Sequence, residues 1–473
     1  MMTKTQTVNP ATEEKLEELE LHDDAFVERA LDDAGRAFDA WRRTPVATRA
    51  SLVRRIGSVL GENREQLARH AVLEMGKPLA QARAEIEKCA STCMYFAEAA
   101  PAMLADEPLP SDGRASESYV SFEPLGTVLA IMPWNFPYWQ AFRALVPALV
   151  AGNAMLLKHA LSVSRCALEI ESVVSRAGAP AGLFRTLLLH HDKIANLVRD
   201  DRIAAATLTG SERAGASVAR EAGGVIKKVV LELGGSDAFI VLADANVEAA
   251  ADTAVAARFQ NAGQSCIAAK RFFVEEKVAA AFTARFIEKT RALRVGDPMD
   301  PATDIGPLAR ADLVDDLERQ VKETVAAGAR VRAGGERVKR RGWFYAPTVL
   351  VDVPDDSPAL VEEVFGPVAP IVIVRVAEEA IRRANASRFG LGGNIWTRDI
   401  ARAKALAREM ESGSVFVNGM TASDAKRPFG GIKKSGFGRE LSAYGLREFV
   451  NVKTVWIGPA DGEHGGAAGA GVE

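Results

Sequence analysis

Cysteine is scarce in this chain. Its 473 residues hold four, Cys89, Cys93, Cys166 and Cys266, too few and too scattered for a disulfide framework or a paired thiolate metal site. A reducing, cytoplasmic setting is therefore expected. Charge of one sign is also lacking: 59 Lys and Arg stand against 62 Asp and Glu, for a formal net charge of -3. Such a chain projects no long-range field toward nucleic acid or an anionic membrane, and small ligands suit it better. The most apolar run, 144–157, is shorter than the roughly 20 residues a membrane span needs and holds Pro147, Gly152 and Asn153, so it reads as buried core. The first 20 residues are acid-rich and lack the basic-then-apolar layout of a signal, so no targeting is expected. None of the six histidines has metal-ligand spacing, and no metal site is expected. Two sequence devices are missing as well, the Gly-x-Ser-x-Gly nucleophile elbow and the Gly-x-Gly-x-x-Gly dinucleotide loop.

The chain does have length and alternation. At this size two or three subdomains are expected. Residues 24–105 are rich in Ala, Arg, Glu and Leu, and Leu52, Ile56, Val59 and Leu60 recur at helical spacing, which predicts a helical front end. Cys89 and Cys93 share one face of it and read as small core residues rather than a redox pair. After the polar break LPSDGRASES, strand-like and helix-like segments alternate from SYVSFEPLGTVLAIMPW to VIKKVVLELGG, then again from DAFIVL through KRFFVEE and PIVIVRV to SVFVNG. That pattern predicts an α/β protein with two parallel sheets, whose ligands bind at the carboxyl ends of strands. The tail, 458–473, is small, polar and aperiodic, and is expected to be disordered.

Three stretches can carry chemistry. Cys266 lies in GQSC, between a helical stretch and a strand, where a thiol can face a cleft; an inert buried cysteine is the competing reading. Glu232, in LELGG, follows an apolar strand and precedes two glycines; it reads equally as a general base or a solvated strand-end acid. Asn135, in MPWNFPYW, is flanked by prolines that would fix its amide as a donor toward an oxyanion, or the same segment is a rigid turn packing Trp134 and Trp139. TLTGSERAG ends a strand and opens a helix, so Gly210 and Ser211 would approach a phosphate there despite the departure from the dinucleotide pattern.

Taken in order, PWNFP, LLKHA, TGS, LELGG, GQSC, EEVFGPV and PFGGIKKSGFGRE resemble the aldehyde dehydrogenase superfamily over almost the whole chain, most closely its bacterial succinate-semialdehyde dehydrogenases. The resemblance implies a Rossmann-like cofactor-binding unit (1–113 and 128–233), a catalytic unit (234–425), and an oligomerisation unit with a bridging segment (114–127 and 426–457). It implies Cys266 as nucleophile, Glu232 as general base, and Asn135 with the Cys266 N–H as oxyanion hole. Trp134, Lys158, Leu161, Gly210, Ser211, Leu233, Glu363 and Phe365 would bind NAD or NADP. Arg143, Trp139 and Ser423 would bind the substrate, with the Arg143 fork on the carboxylate of succinate semialdehyde. Leu161 stands where relatives carry glutamate or serine, so use of both cofactors is expected. A homodimer or homotetramer is implied. The alternatives are oxidation of another small aldehyde and a cofactor-free cysteine thioesterase or esterase.

Overall fold

The computed structural model describes residues 3–110 and 115–460. Four helices, Asp24–Trp41, Val46–Glu62, Arg64–Met75 and Leu79–Met103, form the front end where the apolar periodicity places it. Cys89 and Cys93 are fully buried on the last of these. A strand pair ahead of them, Lys4–Val8 with Lys15–Glu20, has no counterpart in the sequence reading; its second strand, KLEELE, is mostly exposed and too glutamate-rich to read as β.

A six-stranded sheet carries the first half. Its order is Gly436–Phe437, Lys228–Glu232, Ile203–Thr209, Thr127–Met132, Ala154–His159 and Phe184–Thr186, parallel except for the first strand. Thr127–Met132 and Ala154–His159 are buried at every position, as continuous apolar strands covered on both faces must be. The helix Trp139–Ala151 is likewise buried throughout. Every strand of this sheet that leads into a proposed site residue ends on the same edge, because the strands are parallel.

The second half forms a seven-stranded sheet, ordered Arg330–Ala333, Thr348–Val351, Val368–Val374, Ala269–Glu275, Asp237–Val241, Gly392–Trp396 and Ser414–Val417 and parallel apart from the first strand. The loop 233–236 runs directly from one sheet into the other, so Glu232 closes the first and Asp237 opens the second. A third, antiparallel sheet joins Val450–Ile457, Glu117–Pro124 and Glu107–Pro108. Among the described residues no helix is long and apolar enough to cross a membrane. The predicted disordered tail falls largely outside the described residues.

Buried cations tie loops to this scaffold. Arg258, fully buried in the helix Val247–Phe259, donates from Nε to the Val368 carbonyl (2.5 Å) and from Nη2 to the carbonyls of Val364 (3.0 Å) and Gly366, clamping the loop that bears Glu363 and Phe365. Methionine would fill the space but strip the charged donor from three buried carbonyls, of which Gly366 keeps the Val368 N–H (2.8 Å); each carbonyl left unpaired costs roughly 1–3 kcal/mol. Arg258→Met is expected to lower the thermal midpoint by several degrees and to weaken cofactor binding; a melt and a cofactor titration matching the parent would contradict this.

Candidate active site

Cys266 sits after a tight turn, Gln260–Gly263, and before the strand Ala269–Glu275. Three successive residues in that turn, Asn261, Ala262 and Gly263, have φ of 56°, 52° and 75°. Left-handed backbone at two non-glycine residues costs roughly 1–3 kcal/mol each and persists only where its surroundings enforce it. The enforcement is visible. Lys270, fully buried, donates from Nζ to the carbonyls of Ser265 (2.7 Å) and Cys266 (2.8 Å) and lies 3.4 Å from Glu363. Gln264 accepts from the Ala309 N–H (2.9 Å) and donates to the Asn261 carbonyl (3.1 Å). Cys266 is partly exposed while the other three cysteines are buried. Burial pushes its thiol pKa up to about 12, against the pull of Arg143 and Lys270.

The glycines of LELGG explain how Glu232 comes close to this loop. A Cβ on Gly235 would meet the Cys266 carbonyl oxygen at 2.5 Å, and one on Gly234 would meet Glu363 Oε2 at 2.3 Å. Only hydrogen at both positions lets the two sheets' loops touch.

Asn135 is buried, and its amide orientation is set from both ends: Nδ2 donates to the Gln264 carbonyl (3.0 Å) and Oδ1 accepts from Gln140 Nε2 (3.0 Å). One N–H of the amide is thus left over. The Cys266 N–H donates to no protein group among the described residues. Two unused donors beside a thiol are the components of an oxyanion hole.

Glu232 is 2 % exposed, and neither carboxylate oxygen has a hydrogen-bond partner among the described residues. It faces Glu440, whose carboxylate pairs with Arg143 Nε. Burial first and Glu440 second raise the Glu232 pKa well above the ordinary 4.5, while Arg143 and Arg439 oppose them. Glu440 is raised too, by burial. Of two buried acids beside one guanidinium, Glu232 is the one without the ion pair, and burial and Glu440 push it toward its neutral form.

Two cavities of about 240 Å³ each meet at Cys266 and Gln140. The first brings together Trp134, Asn135, Gly210, Ser211, Leu233, Glu363 and Phe365. Ser211 caps the helix Glu212–Gly224, accepting from the Ala214 N–H (3.3 Å), so the helix's positive end opens here. Trp134 and Phe365 stand edge to face at 5.8 Å. Lys158 and Leu161 do not line this cavity; Lys158 lies near the end of the neighbouring parallel strand Ala154–His159 and Leu161 just after it, with Lys158 buried, unpaired among the described residues and its pKa pushed down by burial to about 8. The second cavity is lined by Trp139, Arg143, Ser423 and Lys88. Glu232 lines neither.

Arg143 requires a correction to the sequence expectation. It lies on the cavity wall as anticipated, but its Nε is paired with Glu440, its Nη2 donates to Thr209 (3.1 Å), and its guanidinium covers Phe429 at 4.7 Å. Two of its three nitrogens are engaged within the protein, and its charge is already compensated by Glu440. Glu440, Lys270 and Lys88 were not singled out from sequence; the first two stand in the runs PFGGIKKSGFGRE and KRFFVEE, whereas Lys88 sits in an ordinary helical segment.

Residues 2–455 match the aldehyde dehydrogenase family. The chain is 50% identical over 452 residues to Succinate-semialdehyde dehydrogenase [NADP(+)] 1 of Mycobacterium tuberculosis, covering 95% of this chain and 99% of that protein. It is 49% identical over 450 residues to the Escherichia coli succinate semialdehyde dehydrogenase [NAD(P)+], covering 95% and 97%. Its fold is similar to the crystal structure of a Streptococcus pyogenes succinic semialdehyde dehydrogenase in complex with NADP+, with a TM-score of 0.94 at 38% identity, covering 96% and 100%. With such a match across nearly its full length, and with a lone accessible thiol between two cavities, the chain belongs to the aldehyde dehydrogenase family.

Proposed function

We propose that this enzyme oxidises succinate semialdehyde to succinate, using NADP or NAD. The observation that carries the reading is the meeting of two cavities at one thiol, a cofactor-shaped cleft on one side and a pocket with cationic walls on the other. A cofactor-free thioesterase would have no use for the first. The names of the relatives agree in substrate and in cofactor.

The residues fit the cofactor. Gly210, Ser211 and the helix end behind them would receive the pyrophosphate, Lys158 the adenosine ribose, Glu363 the nicotinamide ribose, and Trp134, Leu233 and Phe365 the ring. When bound, the nicotinamide supplies the hydride acceptor. Leu161 neither repels nor binds a 2′-phosphate.

Cys266 then has two tasks. Its thiolate adds to the aldehyde carbon, forming a C–S bond, and the oxygen that becomes anionic is held by the spare Asn135 N–H and the Cys266 N–H. Loss of hydride leaves a thioester on Cys266. Glu232 removes a proton from water, which attacks the thioester and frees the acid and the thiol. Since Glu232 lines neither cavity, its side chain must turn from Glu440 toward Cys266 for this second step.

The first sheet supports 1–113 and 128–233 as the cofactor unit and the second supports 234–425 as the catalytic unit, with the small antiparallel sheet in 114–127 and 426–457 serving oligomerisation and bridging. The edge strand Val450–Ile457, with Val452 exposed, suits pairing with another copy, as a homodimer or homotetramer. Few cysteines, all free, suit a cytoplasmic enzyme without nucleic-acid or membrane partners.

Glu232→Gln is expected to keep a burst of reduced cofactor while steady turnover drops about 10²–10⁴-fold, the usual loss on removing a general base. No burst would contradict this. The raised Glu232 pKa also fixes a pH dependence: the base form exists only above that pKa, so deacylation falls as pH drops through it, well above 4.5, and a rate flat down to roughly pH 5 would count against it. Discrimination between NADP and NAD is expected to stay under roughly a hundredfold, about 2.7 kcal/mol, and Leu161→Glu should cost NADP more than tenfold relative to NAD. Steady-state kinetics with both cofactors decides.

A further inference from the structure

The substrate-side cavity contains a cation that no carboxylate among the described residues pairs with. Lys88 projects from the helix Leu79–Met103, which presents Gln81, Ala84, Glu85 and Lys88 to the cavity at the spacing of one helical face. No carboxylate lies within ion-pairing distance of its ammonium among the described residues, although Glu85 and Asp424 are near enough to favour its charged form. Glu85 is committed elsewhere: Oε2 pairs with the buried Lys77, and Oε1 accepts from the Tyr138 (2.8 Å) and Trp139 (2.9 Å) N–H groups. Asp424 accepts from the Lys426 N–H (2.8 Å) and faces Arg427 at 3.9 Å. Glu440 is taken by Arg143.

The hydrogen-bond inventory of the cluster is incomplete in a way that describes a ligand. Lys88 Nζ donates to Ser423 Oγ (2.7 Å) and lies 4.1 Å from the Trp139 ring centre, so at most one of its three N–H groups is used in a hydrogen bond. Ser423 Oγ accepts from Lys88 and also from Trp139 Nε1 (3.1 Å). With both lone pairs occupied, its own hydrogen is free to donate. Spare N–H groups and a spare O–H in one partly desolvated wall match an anion with two acceptor oxygens. Burial, with Arg143 adding repulsion, holds the ammonium down at about 8, a strain that an arriving anion would relieve.

We propose that Lys88, assisted by the Ser423 hydroxyl, binds the carboxylate at the far end of an ω-carboxyl aldehyde substrate. The assignment rests on the succinate semialdehyde reading and moves the anchoring charge from Arg143, whose own partner is Glu440, to a residue in the amino-terminal helices. Trp139 completes the wall by donating to Ser423 and lying with its ring 4.1 Å from the ammonium.

The test compares the parent, Lys88→Met and Lys88→Arg on succinate semialdehyde and on butanal, the same four-carbon chain without the carboxylate, at saturating cofactor. Lys88→Met is expected to raise KM for succinate semialdehyde about thirtyfold, the size of one hydrogen bond to a charged group, and to lower the ratio of the two kcat/KM values by the same factor. Succinate should lose its potency as an inhibitor in parallel, and Lys88→Arg should recover part of the loss. An unchanged ratio in Lys88→Met, with the parent still preferring succinate semialdehyde, would overturn the role of Lys88 alone. A parent with no preference for the carboxylated aldehyde would overturn the substrate reading and this inference with it. If the methionine variant does not fold, Lys88→Gln with the same ratio decides.

Discussion

One buried ammonium holds the site together. Lys270 satisfies the carbonyls of Ser265 and Cys266 and reaches Glu363 on a different loop, so the proposed nucleophile and the residue that would grip the nicotinamide ribose share a single fixed point. Burial pushes its pKa down, and Glu363 and Asp237 hold it up. The left-handed turn at Asn261 and Ala262 is stable because this anchor and the Gln264 amide leave the loop no other position. Arg258 does the same for the loop around Phe365. Rigidity at the reacting centre thus comes from cations donating to main-chain carbonyls, a use in which charge acts as a strong hydrogen-bond donor rather than as half of an ion pair.

The electrostatics of the two chemical steps pull against each other. A thiolate wants positive neighbours, and a water-activating carboxylate wants to be basic but not permanently neutralised. Glu232, Glu440 and Arg143 reconcile these demands by sharing one guanidinium between two acids. Glu440 holds it, which leaves Glu232 without a salt-bridge partner and with a raised pKa. Removing Glu440 would free Arg143 to capture Glu232, and the base would become a structural anion.

Much of this was legible beforehand, for identifiable reasons. The continuous apolar strands Thr127–Met132 and Ala154–His159, the helix with Leu52, Ile56 and Leu60, the loop position of Cys266 and the strand-end position of Glu232 all follow from local periodicity and glycine placement. The strand Gly392–Trp396 has no counterpart in the sequence analysis: strand propensity disfavours its glycines, yet a Cβ at Gly393 would strike the Met410 methyl at 2.2 Å, so tight packing selects them. Lys88 was hidden for another reason. Its helix reads the same whether the lysine meets solvent or a cavity, and only the tertiary fold brings it to Ser423, 335 positions away. Arg143 was found as a residue but not as a state, because no local signal told that Glu440 would neutralise it.

The arrangement of the two cavities bears on the order of events. Among their lining residues they share only Cys266 and Gln140, so on the function proposed above the cofactor and the aldehyde would approach the sulfur from separate spaces. An acyl group would then stay on the sulfur while the spent dinucleotide withdraws by its own route, and the room left beside Cys266 would admit a water molecule.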